Sequence, residues 1–204
     1  MADTVYTLPG YRQSEYRLVI VPHSELREKI TSIKKQFSQQ YKIPFKSGGN
    51  SHLTLARFTQ LQMNEDKLLN RFRTIAMGYY PFKVEIKGFG SYPTHSIFLN
   101  ISTKAPLENL VNQLKTVQRL LKLGEKEPYF LHEPNFLIAR TLAPWQYEQG
   151  WKEYSRKSFT GRFIADSMLL LKRPAQEKNF QVLERFEFRN LPVIVKQGDL
   201  FEAV

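Results

Sequence analysis

The chain has 204 residues, with 30 Lys and Arg against 19 Asp and Glu, a formal net charge of +11, and no cysteine. The lack of cysteine excludes a disulfide scaffold, thiol catalysis and cysteine-ligated metal sites. With 42% hydrophobic and 24% charged residues, the composition is that of a globular protein. The positive charge favours nucleic acid or a phosphorylated small molecule as partner, although a merely basic surface would explain it equally well.

The sequence contains no apolar run of the roughly 20 residues that cross a bilayer, and Met1–Gly10 lacks the basic-then-apolar order of a secretion signal. We therefore expect a cytoplasmic, monomeric protein with no membrane partner. The four histidines lack the spacing of metal ligands, so we expect neither a metal nor another cofactor.

Strand and helix patterns alternate along the first half of the chain. In chain order they predict a strand at Arg17–Pro22, a helix from about Ser24 to Tyr41, a glycine-containing loop at Lys46–Asn50, a strand at His52–Phe58, a helix at about Glu65–Tyr79, and strands Phe82–Phe89 and Ile97–Ser102 around a hairpin connection at Gly90–Pro93.

The same order of signals begins again after Ser102. It predicts a helix at Pro106–Leu123, a strand at Tyr129–Thr141, a helix at Trp145–Lys157, and strands Phe163–Leu171 and Phe180–Phe188. The spacing of corresponding features is nearly constant: Asn135 follows His52 by 83 residues, and Phe163 follows Phe82 by 81. The sequence therefore predicts an α+β fold of two duplicated β-α-β-α-β units, with antiparallel sheets around a central cleft.

Two such units usually share one core. We expect a single bilobal domain over residues 1–204, with pseudo-repeats at about 16–96 and 97–189 related by a pseudo-twofold axis, and an N-terminal extension at 1–14. Each half is expected to form its own sheet, with helices on the outer side.

His52 and Thr54 are the first candidate site residues. Strand alternation places both on one face and Arg57 on the other. An imidazole can transfer a proton at neutral pH, and a threonine hydroxyl beside it can hydrogen-bond a phosphate oxygen. The competing interpretation is an isolated histidine on a half-buried strand.

The repeat aligns Pro134-Asn135-Phe136-Leu137-Ile138-Ala139-Arg140 with Ser51-His52-Leu53-Thr54-Leu55-Ala56-Arg57. On these residues the chain, from Tyr16 to about Phe188, resembles the two-histidine phosphoesterase superfamily, which includes the bacterial 2′,5′ RNA ligase-like proteins and RNA 2′,3′-cyclic phosphodiesterases. That family carries one His-x-Thr/Ser motif in each half of a duplicated α+β fold. The resemblance implies that the motifs face each other across a cleft, with one histidine as base, the other as acid, and the hydroxyls holding the phosphate.

The second motif departs from the family pattern. Asn135 stands in place of the second histidine and Leu137 in place of the second Thr/Ser. Asparagine cannot exchange a proton at neutral pH, but its amide can hydrogen-bond a phosphate or ribose oxygen. The resemblance therefore implies a phosphodiesterase with one of its two catalytic histidines missing, and leaves open whether the protein is an enzyme.

Two functions follow from this pattern. The first is a phosphodiesterase that acts on a nucleotide or RNA-end phosphodiester, with His52 and Thr54 as catalytic residues. Because one acid/base group is missing, we expect its hydrolysis to be weak or absent. The second is a non-catalytic nucleotide- or RNA-binding protein that uses the same cleft. Both take a phosphorylated small molecule, a nucleotide or an RNA end as partner.

The expected substrate-binding residues are Asn135, Arg57, Arg140 and Glu133. Strand alternation gives Glu133 the same face as Asn135 and His132 the opposite face, so Glu133 is the better candidate for a replacement acid, and both are also explained as strand-edge polar residues. Arg57 and Arg140 either turn toward an anion at the rim or pair with acidic neighbours.

Overall fold

The computed structural model describes residues 10–45 and 51–191, and in this part of the chain nine strands form two antiparallel sheets beside five α-helices. The first sheet has the strand order β5-β2-β1-β8-β9, and the second has the order β6-β4-β3-β7. The predicted mixed α+β class with antiparallel sheets is confirmed. None of the helices in these two ranges is long and apolar enough to span a membrane.

The strands are β1 (Gln13–Ile20), β2 (Leu53–Leu61), β3 (Phe82–Tyr92), β4 (Ser96–Ile101), β5 (Tyr129–Phe130), β6 (Asn135–Arg140), β7 (Thr160–Ala165), β8 (Ser167–Pro174) and β9 (Gln181–Glu187). The helices are α1 (Ser24–Gln40), α2 (Glu65–Gly78), α3 (Ala105–Lys115), α4 (Gln118–Leu121) and α5 (Pro144–Tyr154).

The two halves of the chain exchange elements, so the expectation that each half forms its own sheet is wrong. Strand β3 of the first half belongs to the second sheet, whereas β5, β8 and β9 of the second half complete the first sheet. Helices cross over as well, because α1 contacts β6 and α3 contacts β2. The buried apolar side chains of both sheets accordingly form one continuous core.

Two predicted strands are divided where the chain passes from one sheet to the other. Phe163–Leu171 is broken at Asp166 into β7 and β8, and Tyr129–Thr141 is broken after Phe130 into β5 and β6. In each segment apolar residues stand on both sides of a short polar stretch, Asp166–Ser167 in the first and His132–Glu133 in the second. The chain changes sheet at that stretch, so the apolar residues on its two sides pack in different sheets. The predicted helix Pro106–Leu123 is likewise divided into α3 and α4.

Smaller differences concern loops and ends. The hairpin turn lies at residues 93–95, after β3 has continued to Tyr92, and β1 already begins at Gln13, inside the predicted extension. The predicted loop Lys46–Asn50 lies outside the described residues.

Strand β2 contains one residue more than its partner. Leu18 of β1 pairs with Ala56, and the next residue, Val19, pairs with Thr54, so that Leu55 is left as the extra residue of a β-bulge.

Strand β6 has the same irregularity at the equivalent position. Ile97 of β4 pairs with Ala139, and Phe98 pairs with Leu137, so that Ile138 is the extra residue. Leu55 and Ile138 lie 83 residues apart, the same spacing as His52 and Asn135. The internal repeat seen in the sequence therefore extends to the local geometry of these two strands.

Helix α5 approaches α1 and β4 closely at Gly150. A Cβ atom at this position would lie 2.8 Å from Cζ of Phe37 and 3.2 Å from Cδ1 of Ile97, both fully buried side chains. The glycine thus allows the helix to pack against the core at this distance.

We predict that Gly150→Ala lowers the free energy of unfolding by about 1 kcal/mol, because overpacking costs typically about 1–3 kcal/mol and alanine regains up to about 1 kcal/mol of helix propensity. Urea unfolding measures the change, and Gln149→Ala, at the exposed neighbouring position, is the matched control. Equal or greater stability of Gly150→Ala would contradict the described contact between α5 and Phe37.

Candidate functional site

A cleft of about 1010 Å³ lies between the two sheets, lined by residues of β2 and β6 together with α1, β1 and the loop that joins β5 to β6. His52 and Thr54 line it from the first sheet, and Asn135 lines it from the second. The structure therefore brings the two sequence motifs into one cavity.

The two bulges place an arginine beside each motif. In β2, Leu55 and Ala56 are both fully buried, so that Thr54 and Arg57 on either side of them both line the cleft. Arg140 of β6 is presented to the cleft in the same way. The prediction that these arginines lie on the opposite face from the motif residues is wrong, because the extra residue reverses the alternation.

His52 is half-buried at the start of β2. Burial, reinforced by the nearby positive charges of Arg17 and Lys34, lowers the pKa of His52 from 6.5 to about 4. The imidazole is therefore neutral near pH 7 and able to accept a proton. The Thr31 and Ser51 hydroxyls, 3.2 Å apart, connect α1 to the residue that precedes the histidine.

Asn135 is part of a small hydrogen-bonded group on the opposite side of the cleft. Its amide nitrogen donates to the carbonyl oxygen of Glu133 at 3.2 Å and lies 3.4 Å from the hydroxyl of Tyr92. The Tyr92 hydroxyl donates to the carboxylate of Glu133, and this bond, with burial, raises the pKa of Tyr92 to about 12. Tyr92 was not anticipated from the sequence, because the predicted strand ended three residues before it.

His132 and Glu133 belong to the loop between β5 and β6, and both are exposed and line the cleft. The strand alternation that assigned them to opposite faces does not apply, because this part of the chain is not a strand. Leu137, which replaces the second hydroxyl residue, also lines the cleft.

Among the described residues, four cationic side chains line the cleft, and two of them, Arg17 and Lys34, were not predicted from the sequence. Within the described part of the chain, no salt bridge involves Lys34, Arg57 or Arg140, although the Arg57 guanidinium lies 5.5 Å from the ring centroid of Tyr129. The pairing with acidic neighbours that the sequence allowed for the two predicted arginines is thus not found among these residues.

Arg17 lies directly across the β1–β2 ladder from Arg57. Its guanidinium is held by Glu15 at 2.9 Å and lies 4.1 Å from the ring centroid of Phe180. This position could not be recognised from sequence, because strand register depends on pairing between distant segments.

Lys34 follows Ile30 by four residues and precedes Phe37 by three, so it lies on the buried face of α1. A lysine on an otherwise apolar helical face was the signal that could have identified it. Burial lowers the pKa of Lys34.

No group of three or more histidine and carboxylate side chains within residues 10–45 and 51–191 is arranged to hold a metal ion. Among the described residues, the cleft-lining side chains of the two motifs supply a neutral imidazole at His52, a hydroxyl at Thr54 and an amide at Asn135, beside the cations Arg17, Lys34, Arg57 and Arg140 and the carboxylate of Glu133.

Comparison with known proteins gives a consistent family. The family model described as the 2′-5′ RNA ligase superfamily matches residues 22–177. A Staphylococcus aureus (strain Newman) protein named "Putative phosphoesterase" is 24% identical over 173 residues, which cover 83% of this chain and 96% of that protein.

Solved structures share the fold. The crystal structure of Escherichia coli LigT complexed with 3′-AMP is 16% identical, with a TM-score of 0.59, and the LigT structure complexed with ATP is 15% identical, with a TM-score of 0.58. Each match covers 86% of this chain and 98% of the LigT chain.

The lowered pKa of His52 predicts a pH dependence of stability. Between about pH 4 and 6.5 the unfolded chain binds a proton at this position that the folded chain does not, so protonation favours unfolding, and the free energy of unfolding falls as the pH decreases across this interval. We expect His52→Gln to lose less stability than the wild type over the same interval. Urea unfolding at a series of pH values tests this, with His95→Gln at an exposed turn as the control that keeps the wild-type dependence. Parallel curves for the wild type and His52→Gln would contradict it.

Proposed function

Since the chain belongs to the 2′-5′ RNA ligase superfamily, we propose that its cleft binds the phosphate of a nucleotide or RNA end and that His52 acts there as the base on a phosphodiester. The observation that carries this proposal is the set of cations around a neutral histidine. The catalytic residues are His52 and Thr54, and Arg57, Arg140, Asn135 and Glu133 are the residues that contact the substrate.

The charge of the cleft supports an anionic ligand. Arg57, Arg140 and Lys34 line it without a carboxylate partner in the described part of the chain, and Glu133 is the one carboxylate of that part that lines the cleft. Cations gathered in a partly buried cavity repel one another and lose hydration, and a bound phosphate offsets both costs. Arginine is well suited to this role because its planar fork can donate two hydrogen bonds to a phosphate.

The proposed reaction begins at the first motif. The neutral imidazole of His52 takes a proton from water, whose oxygen attacks phosphorus, while the hydroxyl of Thr54 donates a hydrogen bond to a non-bridging oxygen. The side-chain amide of Asn135 can donate to a phosphate or ribose oxygen from the other side.

The exposed ring of Tyr129 supports a nucleoside as the organic part of the ligand. Near the second motif, Phe130 and Phe136 are buried, and the hydroxyl of the exposed Tyr92 is bonded to Glu133, whereas Tyr129 is 43% exposed and lies beside Arg57. A base that stacks on this ring would place its phosphate next to the arginine. The LigT structures with 3′-AMP and ATP, which share the fold, are consistent with such a ligand.

A binding protein without turnover is the second candidate, and the second motif favours it. Asn135 and Leu137 offer no proton to a leaving oxygen. Catalysis therefore needs a donor from elsewhere in the cleft, whereas binding does not.

We predict that Arg57→Gln weakens the binding of 3′-AMP by about 10–100-fold, because a hydrogen bond to a charged group contributes about 1.5–3 kcal/mol. Isothermal titration calorimetry at two salt concentrations measures this, and the wild-type affinity should decrease as salt increases. Arg162→Gln, an exposed arginine of β7, is the matched control and should bind like the wild type. Equal affinities for the two variants would reject the cleft as the binding site.

Phosphate binding should also be visible at His52 itself. A nearby anion favours the imidazolium form, so we expect saturating 3′-AMP or inorganic phosphate to raise the pKa of His52 above its value of about 4 in the free protein. Nuclear magnetic resonance titration of the histidine ring protons measures the pKa, and the exposed His95 and His23 report any general effect of the added salt. An unchanged His52 titration in the presence of bound ligand would place the ligand elsewhere.

A further inference from the structure

In the proposed function, the oxygen that departs from phosphorus has no assigned proton donor. Resting on that function, we propose that the ammonium group of Lys34 donates this proton. Lys34 would thereby take the role that the second motif, with Asn135 and Leu137, cannot fill.

Lys34 reaches the cleft from helix α1, which lies between β1 and β2 of the first sheet in the chain and packs against the second sheet. Helix α1 packs against β6, the strand that carries Asn135, and Lys34 lies on its buried face between Ile30 and Phe37. The side chain lines the same cavity as His52, and its positive charge is one of the causes that lower the pKa of that histidine. The amine thus shares the cavity with the base of the proposed reaction, and its helix packs against the strand that carries the second motif.

The surroundings of Lys34 favour release of its proton. The described titratable and charged groups that share the cleft are Arg17 of β1, His52 immediately before β2, Arg57 of β2, Tyr92 of β3, Tyr129 of β5, His132 and Glu133 of the following loop, and Arg140 of β6. None of the carboxylates in the described ranges forms a salt bridge with Lys34, and its burial lowers the pKa. A lysine of this kind can be both a cation for phosphate and a proton donor.

The other proton-bearing groups that line the cleft are less suited to the step. Arginine does not lose its proton in proteins, which excludes Arg57 and Arg140. The hydroxyl of Tyr92 is committed to Glu133, which raises its pKa to about 12. His132 and Glu133 are exposed to solvent. Variants of both residues are included in the test as alternative proton donors.

The complete step balances without an external reactant. Water forms the new bond to phosphorus and gives its proton to His52, the bond from phosphorus to the leaving ribose oxygen breaks, and that oxygen takes a proton from Lys34. The products are a phosphate monoester, an imidazolium at His52 and a neutral amine at Lys34. Proton exchange with solvent then restores both side chains.

The test compares Lys34→Arg with the wild type in the hydrolysis of 2′,3′-cyclic AMP. Arginine keeps the positive charge but cannot donate, so we expect kcat to fall by about 10²–10⁴-fold, while the affinity for 3′-AMP stays within about threefold, since the charge is retained. The wild-type pH profile should show an alkaline decline below the ordinary pKa of lysine, and this decline should vanish in Lys34→Arg. Lys35→Arg, at the exposed neighbouring position of α1, is the matched control with wild-type kinetics.

Restoring the second motif provides an independent readout. Asn135→His combined with Leu137→Thr should increase the rate of Lys34→Arg substantially and that of the wild type only slightly, because the wild type already has a donor. Retained 3′-AMP binding shows that each variant is folded.

Several outcomes would overturn the role of Lys34. They are a wild type without hydrolysis, a Lys34→Arg variant that keeps its rate and alkaline decline, or a rate lost instead in Glu133→Gln or His132→Gln. In each case the binding of 3′-AMP and its weakening in Arg57→Gln still test the proposed binding site separately, and hydrolysis that is lost in a His52→Gln variant but kept in Lys34→Arg would support His52 as base while rejecting Lys34.

Discussion

The exchange of strands between the two halves of the chain is the constraint on which the site depends. Each sheet is completed by strands from the other half, so neither sheet can form alone. Helix α1 extends this dependence, because it follows β1 of the first sheet and packs on β6 of the second. The shared core fixes β2 and β6 on the two sides of one cleft.

Within this frame, the two β-bulges decide which side chains enter the cleft. The extra residue, Leu55 in β2 and Ile138 in β6, interrupts the alternation of each strand once. The backbone amide of Leu131 donates to the carbonyl oxygen of Leu55 at 2.9 Å, which ties the bulge to the segment that crosses to the second sheet. Arg57, three residues after Thr54, and Arg140, three residues after Leu137, therefore both face the cleft. The same bulge, present once in each strand, gives each side of the cleft a cation.

The electrostatics of the cleft follow from this arrangement. Burial, with the positive charges of Arg17 and Lys34, lowers the pKa of His52 and keeps its imidazole neutral, which suits a base. Burial also lowers the pKa of Lys34, which therefore releases its proton more readily than an exposed lysine does. The difference between the two sides is chemical: the first motif retains an imidazole and a hydroxyl, and the second has an amide bonded to its own loop and a leucine. The two repeats therefore share their backbone geometry but carry different functional groups at the cleft.

The sequence by itself determined the class of fold, the internal repeat and the positions of His52, Thr54 and Asn135, because apolar periodicity and the spacing of short motifs are properties of neighbouring residues. Only the tertiary structure decided that Phe163–Leu171 and Tyr129–Thr141 each divide between two sheets and that Arg57 faces the cleft. It also decided that Arg17 and Tyr92 line the same cavity. Strand pairing, bulges and the approach of α1 to β6 arise from contacts between segments far apart in the chain, and such contacts leave no periodic signal in the sequence of either segment.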